Sequence, residues 1–222
     1  MYARLPQYIR KENKAKSDIA AMLRKCEKTY VALSWGKQSI ICAHMAYNVS
    51  KDILCVHWTG PDAQLIADFD NTRDLFLNRW PVKYIELSEG HEGKLMAAIK
   101  EFVSNHKMEG VILGLAKCES KGRRHTLRKN DKQNIYTYAS GVCQYRCCPL
   151  ADWTNEDLAA YISKHNIPLL STYRRYGLDV RTSVGVTPGS HAEQGIDLLS
   201  SENASKIRNR FKQMEKEKNH DI

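Results

Sequence analysis

Four short, β-branched and apolar segments, separated by stretches of helical length, set the fold class of this chain. They are residues 29–33 (Thr-Tyr-Val-Ala-Leu), 52–57, 82–87 and 110–115. Such runs read as buried strands. Helices are expected over 7–27, 40–49, 62–79 and 92–106, the third with apolar residues at Leu65, Ile66, Phe69, Leu75 and Phe76. Strands alternating with helices need right-handed crossovers and a mostly parallel sheet. The expected fold is therefore α/β and doubly wound, with helices on both faces through about residue 115. Ligands of such sheets bind beyond the carboxyl ends of the strands. The loops starting near Ser34, His57, Leu87 and Leu115 are the ones to examine.

Past residue 115 the pattern weakens. Residues 116–141 read as a long polar loop, and loops of that length in compact domains are usually functional or disordered. With Leu127 as the sole apolar anchor between Lys117 and Asn134, they are expected to be mobile until an anion orders them through Lys121, Arg123 and Arg124. Thr154-Asn-Glu-Asp157 opens a helix in capping-box style that runs to about His165 and stops at Asn166-Ile-Pro168. Residues 169–200 read as irregular, and 201–218 as a charged helix.

A chain of 222 residues can bury a sizeable core. No run of about 18 apolar residues occurs, so no transmembrane helix is expected. Residues 1–28 lack the apolar stretch of a secretory signal, which makes the expected location cytoplasmic, with no membrane partner. An odd count of seven cysteines argues against a disulfide framework. Cys26, Cys42 and Cys55 read as small buried hydrophobes, and His44 and His57 as packing histidines. The formal net charge of +9 points to an anionic partner, a nucleotide or a nucleic acid. Residues 115–132 hold seven Lys or Arg against two acids. Those charges repel one another unless an anion offsets them.

Chemistry enters at Ser34-Trp35-Gly36-Lys37-Gln38-Ser39, between the first strand and a helix. A glycine turn there aims backbone N–H groups at an anion, and the helix dipole favours negative charge. The hydroxyls of Ser34 and Ser39 add donors, and Lys37 adds charge suited to phosphate. Trp35 either stacks on a base or covers the sheet edge.

These residues resemble the pyrophosphate-binding (PP) loop of the adenine nucleotide alpha-hydrolase superfamily, and in particular the phosphoadenosine phosphosulfate (PAPS) reductase family. Trp58-Thr59-Gly60 stands where that family has Asp-Thr-Gly. Gly114-Leu-Ala-Lys117-Cys118-Glu119-Ser120-Lys121-Gly-Arg123 resembles its Gly-x-Arg…Glu-Ser…Arg motif, and Pro149-Leu-Ala-Asp-Trp-Thr its Pro-Leu-Ala-Asp-Trp-Thr helix. The resemblance implies a nucleotide-binding domain over 28–190, preceded by a basic helix (1–27) and followed by a charged helical tail (191–222). It implies that PAPS or ATP is the ligand, with Mg²⁺ bridging the phosphates of ATP. Ser34 to Ser39, Thr59, Gly60, Gly114, Lys117, Glu119, Ser120, Lys121, Arg123 and Arg124 would bind the nucleotide. A homodimer, or a partner protein supplying a thiol, also fits the family's chemistry.

Two departures stand out. Ala116 occupies the place of the family's Arg, with Lys117 beside it. No Cys follows Cys148, whereas PAPS reductases attack sulfur with a Cys in a Glu-Cys-Gly motif; conventional thioredoxin-dependent reduction is therefore not expected. That turns attention to Cys143, Cys147 and Cys148. Near basic residues they read either as low-pKa nucleophilic thiols, as iron–sulfur ligands together with Cys118, or as ordinary reduced cysteines. The rival reading is a nucleic-acid-associated module without catalysis, for example in DNA modification of the phosphorothioation kind, which keeps the fold and uses its basic segments on DNA or RNA.

Overall fold

The computed structural model describes residues 2–59, 68–87, 95–128, 134–137 and 142–179, and the single positions 205 and 209. The expected strands form: β1 (Thr29–Ala32), β2 (Leu54–Trp58), β3 (Lys83–Leu87) and β4 (Gly110–Leu113). All four pair in parallel, in the order β3-β2-β1-β4. Between them run α2 (Lys37–Val49), α3 (Phe69–Arg79) and α4 (Leu95–His106), preceded by α1 (Pro6–Lys25). From β1 the chain winds outward to β2 and β3, then crosses back to β4 on the other side of β1. That reversal leaves a crevice at the carboxyl ends of β1 and β4.

Beyond β4 the structure corrects the reading of a long loop. Residues 117–119 form a 3-10 turn, followed by α5 (Lys121–Arg128) and then β5 (Ile135–Thr137). Leu127 is buried against Cys148 and Ala151. A sixth strand, β6 (Tyr145–Cys147), lies between β4, to which it is parallel, and β5, to which it is antiparallel. The helix read at Thr154 is α6 (Asn155–His165). Another short helix, α7 (Ser171–Tyr176), occupies part of the segment read as irregular. The terminal helix expected over 201–218 falls almost wholly outside the described residues.

Side chains alternate across the sheet, so each strand feeds two cores. Val31, Cys55, Ile112 and Cys147 join the core on one face, with residues of α1, α2 and α6. Tyr30, Val56 and Val111 pack on the other face, with Phe102 and Val103 of α4. Cys26, Cys42 and Cys55 are buried, as read.

Buried charge ties α1 to α6. The Asp157 carboxylate accepts Thr154 N–H at 2.8 Å, as the capping box predicts, and also accepts from Tyr2 Oη (3.0 Å) and Lys11 Nζ (2.5 Å). Glu12 accepts from Lys16 and from Lys164 (2.6 and 2.9 Å). Burial opposes the charge on Glu12, but the two ammonium groups win and hold its carboxyl down at about 2. His44 sits in the same region, its Nδ1 2.7 Å from Tyr161 Oη. Burial first, then nearby His165 and Lys16, push it down to about 3.

A pH dependence follows. Unfolded, a histidine takes up a proton below about pH 6.5; folded, His44 resists it until about pH 3. Stability is therefore complete above about pH 6.5 and falls as pH drops through that window, at up to about 1.4 kcal/mol per unit for each such group. Urea midpoints measured from pH 7 to 4.5 should decline, and His44→Phe should flatten the decline. A midpoint constant over that range would refute this reading of His44.

Candidate functional site

Serine hydroxyls organise the turn between β1 and α2. Ser34 N–H and Ser34 Oγ both lie within hydrogen-bond distance of Ser39 Oγ (3.1 and 3.2 Å), and Ser39 Oγ donates to the Gly36 carbonyl at 3.0 Å. Gly36 caps α2 with extended backbone and no side-chain hydrogen bond, so the helix start is not closed by its own cap. Trp35 holds the turn from behind. Its φ of 58° is costly for a bulky residue, and its buried indole packs edge-on to Phe69, Phe76 and Tyr84. The indole N–H donates to Tyr84 Oη at 3.4 Å. Of the two readings of Trp35, the structure supports sheet cover; among the described residues it does not line the cavity beside the turn.

That cavity has a volume of about 450 Å³, within the usual range for ligand pockets. Ser34, Gly36, Lys37, Gln38 and Ser39 line one side. Gly114, Glu119 and Arg123 reach it from the β4–α5 segment, and Val56, Leu87 and Ile99 form an apolar wall. Two motifs some eighty positions apart in sequence thus meet at the crevice. Gln38 is 5% exposed and its Nε2 has no hydrogen-bond partner among the described residues. A buried amide without a partner costs free energy unless a ligand or water pairs it. His57 is also buried; its Nδ1 lies 2.9 Å from the Leu33 carbonyl, and burial pushes its pKa down, so it is neutral at pH 7.

Gly114 is where the two segments touch. A Cβ there would lie 2.6 Å from Gln38 C and Ser39 N. Only glycine permits that approach.

Other sequence-predicted residues have structural occupations. Lys117 Nζ is 2.8 Å from Asp152, and its N–H donates to the Ala151 carbonyl. The charge proposed to replace the missing Arg at Ala116 is therefore engaged by a carboxylate, and Arg123 is the α5 cation that reaches the cavity. Glu119 accepts the Ala116 N–H (3.1 Å), and Ser120 Oγ accepts that of Arg123 (3.1 Å). Both shape the turn. Lys121 and Arg124 are exposed on α5. The Thr59 hydroxyl donates to Glu86, and its N–H donates to the Leu87 carbonyl at 3.1 Å. Gly60 lies outside the described residues.

The cysteines separate. Cys147 points into the core that holds α1 and α2, Cys143 into the core on the opposite face, and Cys148 against Leu127 and Ala151. Burial pushes all three thiols up. Arg146 and Arg123 do pull Cys148 down, but less than burial raises it. The low-pKa thiolate reading is thus corrected. Among the described residues no three His, Cys, Asp or Glu side chains assemble a metal site, so the set Cys118, Cys143, Cys147 and Cys148 does not fit a cluster. Cys118 alone is exposed.

Sequence reasoning missed Tyr173, which lies on α7 and lines the cavity. Its segment showed no periodicity. A helix restart after Leu169-Leu170 was the one available signal.

Known proteins share this architecture. The family profile described as "Phosphoadenosine phosphosulfate reductase domain" matches residues 82–192. The phosphoadenosine 5'-phosphosulfate reductase of Xylella fastidiosa is 24% identical over 191 residues, 78% of this chain and 80% of that protein. A phosphoadenylyl-sulfate reductase from Candida auris, solved with phosphate, superposes with TM-score 0.60 at 11% identity, over 78% of this chain and 87% of the other. The FMN adenylyltransferase of Candida glabrata, solved with FMN and an ATP analog, gives 0.61 at 15% identity over 76% of this chain. The chain spans only about three fifths of that enzyme's length (61%). The structural likenesses show a shared fold.

Proposed function

The chain belongs to the phosphoadenosine phosphosulfate reductase domain family, and from that premise we propose that it binds an adenine nucleotide, PAPS or ATP, and acts in sulfur or adenylyl transfer. The observation that carries this reading is the 450 Å³ cavity in which the Ser34–Ser39 turn meets Gly114 and Arg123, its lining including Gln38, whose buried Nε2 has no partner among the described residues. Phosphates sit at the start of α2 on backbone N–H groups, beside Ser34, Ser39 and Lys37. Arg123 approaches from α5 as the second cation, and the apolar wall of Val56, Leu87 and Ile99 takes the base.

With ATP, an acceptor attacks the α-phosphorus and pyrophosphate leaves, any Mg²⁺ entering with the nucleotide. With PAPS, a thiolate attacks the sulfate sulfur and adenosine 3′,5′-bisphosphate leaves, the thiol coming from a partner protein. In both reactions negative charge grows on the departing phosphate. Fixed donors at the turn, with Lys37 and Arg123, stabilise that charge.

Calorimetry with ATP, PAPS and adenosine 3′,5′-bisphosphate, run anaerobically, tests the proposal. Binding of at least one is expected, and Gly36→Val should weaken it at least about tenfold by blocking close backbone approach. A folded Gly36→Val protein of unchanged affinity would remove the turn from the site.

The nucleic-acid reading keeps one observation in its favour. Lys121, Arg123, Arg124, His125 and Arg128 are all exposed on the eight residues of α5. A polyanion laid along that helix would offset their mutual repulsion. Affinity for DNA or RNA that falls steeply with salt is expected if this face is used, and affinity flat with salt rejects it.

A further inference from the structure

We propose that Tyr173 belongs to the nucleotide site as its displaceable stopper: its hydroxyl holds the place of an anion oxygen at the start of α2, and a phosphate or sulfate must displace it to bind. The inference rests on the phosphate reading of the Ser34–Ser39 turn and goes one residue beyond it.

The first turn of a helix leaves backbone N–H groups without intrahelical partners, and anions commonly satisfy them. Here the Lys37 N–H donates to Tyr173 Oη at 3.2 Å. The Lys37 ammonium also faces Tyr173, 5.4 Å from its ring centroid. An arriving anion would seek both the amide and the ammonium of Lys37, and Tyr173 meets both. The tyrosine is 5% exposed and lines the cavity. One residue along α2, Gln38 lines the same cavity, and its buried Nε2 has no hydrogen-bond partner among the described residues.

Exchange favours the anion. A charged acceptor makes a hydrogen bond roughly twice as strong as a neutral phenol. Tyr173 packs on the core that holds α1 and α2. It belongs to a helix of six residues, started by Ser171 N–H donating to Asp68 and ended at Gly177, whose φ of 82° is glycine territory. Because the competent state must first give up the tyrosine contact, the stopper lowers the apparent affinity for anions.

The test is Tyr173→Phe, which keeps the ring and removes the hydroxyl, probed with inorganic pyrophosphate by calorimetry. Losing one competing hydrogen bond should tighten pyrophosphate binding about fivefold. Equal or weaker binding overturns the stopper, weaker binding marking the hydroxyl as a ligand contact instead. If neither protein binds pyrophosphate, the phosphate site itself fails, and the stopper with it; the two failures are thus distinguishable. Should the variant not fold, hydrogen exchange of the wild-type chain decides. Pyrophosphate should speed exchange at the amides of residues 171–176, and unchanged or slowed exchange there overturns the proposal.

Discussion

Gly114→Val should cost the protein its nucleotide site together with part of its stability. The new Cβ would fall 2.6 Å from Gln38 C and Ser39 N and 2.8 Å from Gln38 O. All three are backbone atoms of the first turn of α2, so no side chain can swing aside. Either β4 or the turn must move, and the turn carries the amides that face the cavity. Overpacking of this kind costs about 2–3 kcal/mol, or a fall in melting temperature of roughly 2–4 °C per kcal/mol for a chain of this size. Affinity for adenosine 3′,5′-bisphosphate should drop about a hundredfold or more, because displacement of the anion donors by about 1 Å is not tolerated. Gly122→Ala is the control: its Cβ would meet only Ser120 Oγ, at 3.9 Å, and stability and affinity should stay near wild type. A Gly114→Val protein that melts and binds like the wild type would show that the close approach of β4 and α2 is not needed.

The same contact shows what was legible in the sequence. Residues 29–33 and 110–115 announce themselves as strands because they are apolar on both faces, as parallel strands must be. Two strands of one doubly wound sheet end at the same crevice, so Ser34 and Gly114 could be placed together before any coordinates. Arg123 was legible as one of four candidate cations, with Lys117, Lys121 and Arg124, but nothing local singled it out as the one that reaches the cavity. Nothing local says that Asp152 takes Lys117, since that pairing spans 35 positions. The short elements failed for a similar reason. β6 is three residues long and owes its existence to pairing with β4 on one side and β5 on the other. α5 has one buried anchor, Leu127, which gives no period to detect. Trp35 was ambiguous because the aromatic pocket that receives it is assembled from α3 and β3, far along the chain.

Of the three readings of Cys143, Cys147 and Cys148, their burial favours ordinary reduced cysteines. Beside Arg146 in sequence, Cys147 and Cys148 look like activated thiols, but β6 is an interior strand and carries Cys147 opposite Ile112 and Ile135. Burial then outweighs the neighbouring charge.

A single fast alkylation is the expected consequence, and it bears directly on the reaction. Only Cys118 is exposed, on the 3-10 turn that also supplies Glu119 to the cavity; the other six cysteines are buried. The thiolate is the reacting form, and burial pushes Cys55 up to about 12 and Cys42 well above its ordinary value. Under anaerobic native conditions iodoacetamide should therefore add once, at Cys118. The remaining sites should react at least about a hundredfold more slowly, because they wait for local opening. Cys118 is itself raised, by partial burial first and by Glu119 next, against the pull of Lys37. Its rate at pH 7 should thus lie below that of a free thiol and climb about tenfold per pH unit until the thiol ionises. Cys118→Ser should erase the fast adduct. The same preparation, given PAPS and thioredoxin, should release no sulfite, since residues 149–222 contain no cysteine and Cys143, Cys147 and Cys148 present no accessible thiolate. Rapid labelling at any of those three would return them to the reaction. Steady sulfite from wild type but not from Cys118→Ser would instead make the exposed thiol the attacking group.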